Sequence, residues 1–375
     1  MKYLLSDILK EYSEKNSLNK YYPVAVGKYG IRKRSDIYKK ELAKDYSKNK
    51  IIRKNTLIVG MGSTQIDIGV LSSDEIFSVS PAYHTFNISD KIVDSRYLDL
   101  LFLSKNNEYT QKYMIASARQ GKTVNLKDLL KEIIEIPNFE QQYEIINKIE
   151  KIKKFIQFEE ENISYYEELI KSRFIEMFGD PISNDKNWEF IPITNVCKNI
   201  LGGGTPSKSK PEYYNGNIPW VTPKDMKHTI ISDSIDHITE DAIKNSSTNL
   251  IETNSILMVV RSGILKHTLP VAINEIPVTI NQDMKAFIPN KKVTTRYLLY
   301  YFKIIENDVL SGVRSVTADN IDFKTFQKRK IIIPPIELQN KFAEFVQLID
   351  KLKFIAQKRI DLYTELLNKK MDEYF

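Results

Sequence analysis

Residues 136–178 read IPNFEQQYEIINKIEKIKKFIQFEEENISYYEELIKSRFIEMF, and residues 333–375 read IPPIELQNKFAEFVQLIDKLKFIAQKRIDLYTELLNKKMDEYF. Overlaid at a shift of 197 residues, Ile136-Pro137 falls on Ile333-Pro334, Glu140 on Glu337, Gln142 on Gln339, Tyr166 on Tyr363, Glu168-Leu169 on Glu365-Leu366 and Phe178 on Phe375. Self-similarity at a fixed period marks one structural plan used twice. In the first copy Ile145, Ile149, Ile152, Ile156, Ile163, Tyr166 and Ile170 follow a 3-4 spacing. In the second, Phe342, Val346, Ile349, Ala356, Ile360, Tyr363 and Leu367 do the same at equivalent positions. Such a seam belongs to a helix that packs along a partner helix. Glu159 interrupts the first seam and Lys353 the second. Each block opens after a proline with an early Glu, which suits a helix start. The first closes at Gly179-Asp180-Pro181, a permissive glycine and then a proline that cannot continue the helix. About 40 residues at ~1.5 Å each span ~60 Å. Two equal amphipathic helices in one chain pair most simply with each other, antiparallel, relating the halves by an approximate two-fold axis. The alternative is that each packs only on its own domain.

The repeat extends upstream. Arg96-Tyr97-Leu98 matches Arg296-Tyr297-Leu298 at a shift of 200, and Phe86-Asn87-Ile88 resembles Phe287-Ile288-Pro289 at 201. The chain therefore divides into a domain at 1–136, a helix at 137–180, a second domain at 181–334 and a last helix at 335–375. Leu57-Ile58-Val59 and Ile256-Leu257-Met258-Val259-Val260 are apolar runs of strand length. Arg96 to Lys105 and Arg296 to Lys303 read as short helices. The expected fold class is α+β: two mixed α/β domains joined by two long helices packing as an antiparallel coiled coil, with a pseudo-two-fold repeat.

Composition narrows the function classes. With 375 residues, 42% hydrophobic and 27% charged, the chain suits a globular protein of two domains rather than a disordered one. A single cysteine, Cys197, excludes a disulfide framework and a cysteine-based zinc site, and makes a reducing cytoplasm the expected location. No apolar run approaches the ~18 residues of a membrane helix, and the N-terminus turns polar too soon for a signal peptide. The net charge of +7 is uneven: residues 20–54 carry 12 basic and 3 acidic side chains. Within this stretch Lys28, Arg32, Lys33, Arg34, Arg53 and Lys54 are candidates for neutralising DNA phosphates or reading base edges. A solvated lysine-rich surface is the plainer reading.

The sharpest local signature is Gly202-Gly203-Gly204-Thr205-Pro206-Ser207-Lys208-Ser209-Lys210, followed by Pro211-Glu212-Tyr213-Tyr214 and Ile218-Pro219-Trp220-Val221-Thr222-Pro223-Lys224-Asp225-Met226. With Arg261-Ser262-Gly263, Asn281-Gln282-Asp283, the Pro334-Pro335-Ile336-Glu337-Leu338-Gln339 helix entry and the Phe178-Gly179-Asp180-Pro181 exit, this chain resembles the specificity subunits of type I restriction-modification enzymes. The resemblance covers the whole chain. The first half departs from it, lacking the Gly-Thr-Pro and Ile-Pro-Trp elements. It implies two target recognition domains, double-stranded DNA as ligand, two modification (methyltransferase) subunits as partners, and translocating restriction nuclease subunits. The partners would carry S-adenosylmethionine, ATP and Mg, and this chain none of them.

Read for their own chemistry, the glycines permit close backbone approach, and Ser207, Lys208 and Lys210 offer donors for phosphate. A basic surface turn would show the same residues. The stretch is not a Walker A loop, because no Gly-Lys-Ser/Thr stands at the required spacing. Trp220 reads as core rather than as a base-stacking platform. Lys224, Lys227 and Lys266 are candidate phosphate contacts, and Arg261 either contacts DNA or pairs with an acid. No amino-methyltransferase motif and no G-x-G-x-x-G turn is present, and His84, His228, His237 and His267 lack metal-ligand spacing. These absences favour a non-catalytic recognition subunit over a self-contained methyltransferase or nuclease, or a coiled-coil scaffold that binds no DNA.

Overall fold

The computed structural model describes residues 1–27, 30–37, 45–117, 121–315 and 319–375. The chain forms two compact units, one of Met1–Glu160 with Lys358–Phe375 and one of Glu161–Gln357. Each unit thus joins one globular block to a segment of each long helix.

In the first unit four antiparallel strands stand in the order Leu9–Tyr12, His84–Ile88, Thr56–Met61, Ile66–Leu71. Ile66–Leu71 is buried at every position because the helix Ser95–Tyr113 and the hairpin Val24–Gly27/Gly30–Lys33 both pack against it. Its neighbour Thr56–Met61 is buried at five of its six positions, and its Leu57-Ile58-Val59 reads as an apolar run rather than an alternating one. The helix Ser95–Tyr113 is capped by Asp94, whose carboxylate accepts from Arg96 N at 2.9 Å. It runs past Lys105, where the sequence suggested an end. Tyr109 and Tyr113 continue its buried face after the polar stretch Lys105-Asn106-Asn107.

The second unit holds a five-stranded sheet, Cys197–Gly202, Met284–Pro289, Ile256–Val259, Val271–Asn274, Ile230–Ile231, and a four-stranded one, His237–Ile238, Ile218–Val221, Val278–Ile280, Leu250–Ile251. The helix Thr295–Ile304 starts at Thr294, whose hydroxyl accepts from Tyr297 N at 3.2 Å. Tyr297 stacks on Phe174 at 5.5 Å and meets Phe178 edge-on at 4.9 Å. Phe342 closes the cluster 5.5 Å from Phe174. These rings anchor both long-helix segments to the block.

The same joint is built in both units. A strand ahead of each long helix pairs antiparallel with a strand from the start of its block: Ile133–Glu135 with Lys2–Leu4, and Lys330–Ile333 with Glu189–Pro192. Gln142 is buried, accepts from Asp94 N at 2.8 Å and donates to Ile92 O and Pro137 O at 3.3 and 2.9 Å. Gln339 is buried, accepts from Thr294 N at 2.9 Å and donates to Lys292 O and Pro334 O at 3.1 and 2.9 Å. One glutamine amide thus ties each long helix to the N-cap residue, Asp94 or Thr294, of the helix Ser95–Tyr113 or Thr295–Ile304 in its block.

The long helices run Phe139–Phe178 and Ile336–Tyr374. In the first unit Phe155 stacks on Tyr363 at 5.3 Å, and Arg359 donates to Glu159 at 3.1 Å. Numbers rise along one segment as they fall along the other, so the segments are antiparallel. In the second unit Lys353 donates to Glu167 at 2.8 Å and Arg173 lies 5.8 Å over the Phe345 ring, again antiparallel. Ile149, Ile152, Phe342, Val346 and Ile349 are buried, while Ile145, Ile163, Tyr166, Ile360 and Tyr363 are half-buried. Glu159 and Lys353, which interrupt the seam in sequence, each meet an opposite charge. Among the described residues no helix is long and apolar enough to cross a membrane.

Candidate nucleic-acid interface

In the second unit three separated motifs meet. The glycine turn leaves the strand Cys197–Gly202 and passes so close to the end of the strand Val278–Ile280 that a Cβ on Gly203 would lie 2.1 Å from Ile280 O. Only glycine fits there. Gly204 N donates to Ile280 O at 3.0 Å, and the Thr205 hydroxyl donates to the Gln282 side-chain oxygen. Below, the buried Trp220 indole N–H donates to Gly204 O at 3.0 Å, and Tyr214 packs edge-on against the ring at 5.8 Å. Trp220 is a core support of the turn.

Arg261 follows the strand Ile256–Val259 and donates from Nε and Nη2 to Asp283 Oδ1 at 2.6 Å. The Asp283 carbonyl accepts from Val260 N and Arg261 N at 2.8 and 3.1 Å, and Asn281 Nδ2 holds Asp283 Oδ2 at 3.2 Å. The arginine thus takes the acid-paired of its two readings, with its side chain still half exposed (49%). A hollow of about 480 Å³ opens beside it, lined by Arg261, Gln282, Lys285, Asn320, Phe323 and Lys324 among others. The Lys285 ammonium stands 5.1 Å over the Phe323 ring. Amide, guanidinium and ammonium groups sharing a rim suit hydrogen bonding to base edges and phosphates.

The remaining candidates of this unit lie elsewhere. Ser207 bonds Ser209 at 2.8 Å beside an exposed Lys208, while Lys210 donates to the Tyr213 hydroxyl at 3.0 Å, which raises its pKa. Lys266 is exposed on the turn Gly263–Lys266. Lys224 and Lys227 line a different cleft. Sequence reading missed Lys285 and Lys324. Lys285 stands two residues after Asp283, where strand alternation was a usable signal. Lys324 is distant in sequence and has no local one.

In the first unit Lys28 lies outside the described residues. Arg32 is exposed on the strand Gly30–Lys33, and Arg34, half-buried, starts the turn after it. Lys33 and Lys54 reach adjacent acids, Glu75 at 2.7 Å and Asp74 at 2.9 Å. Arg53 grips both Glu14 oxygens at 2.6 and 2.7 Å and holds that carboxyl below its usual range. Local acids therefore offset part of the basic stretch that stands out in sequence. Among the described residues no group of three or more His, Cys, Asp or Glu is placed to hold a metal. Burial pushes the Cys197 thiol up to about 12.

Comparison with known proteins agrees with this arrangement. The family model described as "Type I restriction modification DNA specificity domain" matches residues 2–165 and again 185–363. The Escherichia coli type I restriction enzyme EcoR124I/EcoR124II specificity subunit is 40% identical over 176 residues, 46% of this chain and 44% of that protein. The Methanocaldococcus jannaschii MjaIX specificity subunit is 30% identical over 195 residues, 51% of this chain and 44% of that protein. The matched stretch therefore spans less than half of each of these relatives. In fold, a chain described under "Structural basis underlying complex assembly and conformational transition of the type I R-M system" superposes with a TM-score of 0.60 at 15% identity, covering 100% of this chain and 96% of that one. The Type-I restriction-modification system S subunit from M. genitalium gives 0.55 at 16%, covering 99% and 95%. With both of its blocks matched, each ahead of its own long helix, the chain belongs to the type I restriction modification DNA specificity domain family.

Proposed function

We propose that this chain is the DNA-reading subunit of a type I restriction-modification complex and does no chemistry itself. The observation that carries the reading is the double match of the specificity domain, with a three-motif polar cluster assembled in the second copy. Each domain reads a short half-site, mainly in the major groove, where all four base pairs differ. The domains differ in sequence, so the target is bipartite and asymmetric. The two long helices pair as a coiled coil and set the gap between half-sites. Two modification subunits methylate adenine with S-adenosylmethionine, and restriction subunits cleave with ATP and Mg, all in the cytoplasm.

The test is co-expression with modification subunits and sequencing of the methylated motif. Replacing residues 181–334 with the matching block of another family member is expected to change one half of the motif and keep the other. Both halves changing together overturns the modular reading. The purified chain, given S-adenosylmethionine or Mg and ATP, is expected to leave DNA unchanged. Turnover abolished by a point substitution in this chain would show it to be an enzyme.

A further inference from the structure

The second unit holds another cleft, of about 790 Å³, which shares no lining residue with the hollow beside Arg261. Its walls are Glu167 and Lys171 of the central helix, the loop from Pro223 to Thr229, the segment around Leu269, and Lys303 with Glu306. Lys303 stands at the end of the helix Thr295–Ile304, and its ammonium donates to Thr229 Oγ1 at 3.1 Å. An ammonium has three protons to donate, and no carboxylate forms an ion pair with this one among the described residues. Burial pushes its pKa below the usual lysine range. Glu167, on the same wall, is already taken by Lys353 at 2.8 Å, and Lys171 by Glu168 at 2.7 Å.

At the rim, Lys224, Lys227 and His228 are exposed and have no ion pair among the described residues. Three lysines without ion pairs thus face one such carboxylate, Glu306. The loop is built in advance. Asp225 Oδ2 accepts from Thr222 N and Oγ1 at 2.8 and 2.9 Å, and its Oδ1 accepts from Ile235 N at 2.9 Å. Ile273 N donates to Thr229 O at 2.8 Å. A preformed loop loses little freedom on binding. The cations are lysines, compact point charges, with no arginine fork in the lining to match a planar carboxylate.

We infer that this cleft is a phosphate site, with Lys303 at its floor and Lys224 and Lys227 at its rim, and that it takes a backbone phosphate of the DNA next to the second half-site. The source of the phosphate rests on the DNA-reading function proposed above. Bound there, a phosphate oxygen accepts from Lys303 alongside Thr229 Oγ1, and the rim lysines release counterions from the duplex.

The test uses the full chain and two probes: a fluorescent random-sequence duplex titrated across salt, and inorganic phosphate read by melting temperature against chloride at equal ionic strength. Lys224→Ala/Lys227→Ala is expected to lower the salt slope of duplex binding by about 2, and Lys303→Gln by about 1. Both variants are expected to weaken binding alike on all sequences. If Lys303→Gln fails to fold, the rim variant decides alone. If the slope stays unchanged but phosphate protects the native chain and not the rim variant, the anion site stands, with free phosphate as its source. A folded rim variant that matches the native chain with both probes overturns the proposal. If that same variant fails to assemble with modification subunits, an acidic protein segment is the occupant instead. A native chain that binds no duplex at low salt removes the DNA reading, while the phosphate arm still reports on the cleft.

Discussion

Asp99 lies beneath the first unit's sheet, where its carboxylate accepts from Val70 N at 3.0 Å and burial pushes its pKa up to about 6. An acid with a raised folded pKa is protonated more readily in the native state than in the unfolded chain. Its burden on stability is absent below the unfolded value near ~4, grows as pH rises towards about 6, and stays in full above it. Asp99→Asn keeps an oxygen for Val70 N and removes the charge. It is expected to stabilise the chain at pH 7 by at most about 3 kcal/mol and to do almost nothing at pH 4, as read by urea melts at the two pH values. Arg261 poses a different residue-scale question, because Asp283 already holds its guanidinium. A base-reading arginine replaced by alanine is expected to cost about 1–3 kcal/mol and relax one position of the motif, whereas a phosphate contact weakens all sequences alike. Methylation-motif sequencing of Arg261→Ala separates the two.

At the scale of elements, Gln142 and Gln339 account for why the repeat keeps a polar residue inside each joint. Each amide fills one donor and two acceptor vacancies at the entry to its long helix. Gln339→Leu leaves Thr294 N, Lys292 O and Pro334 O without that partner, at roughly 1–3 kcal/mol for each group that stays dry. Chemical denaturation is expected to show a loss of that order. The Glu159–Arg359 rung is a buried carboxylate (7% exposed) facing a half-exposed guanidinium (57%). Arg359→Met takes this guanidinium away from the buried carboxylate and is expected to destabilise the first unit, while Glu159→Met/Arg359→Met is expected to recover part of the loss, because an apolar pair needs no counter-charge. A double variant no better than the single one shows that the pair does not act as a unit.

For the whole molecule, the proposed ruler makes a geometric prediction. Inserting four residues near Ile156 adds about one helical turn, ~6 Å, while each DNA base pair adds ~3.4 Å. The methylated motif is expected to gain roughly one or two base pairs of spacer and keep both half-sites, as genome-wide methylation sequencing would show. An unchanged spacer with full activity rules out the helices as the ruler. A charge at Ile349, a buried seam position, is expected instead to loosen the helix contact and impair assembly with modification subunits.

The two-copy plan was legible in the sequence because it rests on local periodicity. A 3-4 apolar seam and a proline before it, with a glycine closing the first copy, are properties of neighbouring residues, and the structure has helices at Phe139–Phe178 and Ile336–Tyr374. Gln142 and Gln339 were visible as a matched pair, though not as the same set of three hydrogen bonds. The glycine turn, Arg261 and Asn281-Gln282-Asp283 stood out as motifs, but their meeting point depends on strand neighbours up to 92 residues apart, as Cys197 is from Pro289. Only tertiary structure decides which charge meets which. Lys33, Arg53 and Lys54 read as a free basic stretch until folding brings Glu75, Glu14 and Asp74 against them. Lys303 reads as the last lysine of a short helix until Thr229, 74 residues away, becomes its partner and the walls of a cleft close around it. Periodicity is written along the chain, whereas charge pairing is a sum over contacts that no local window contains.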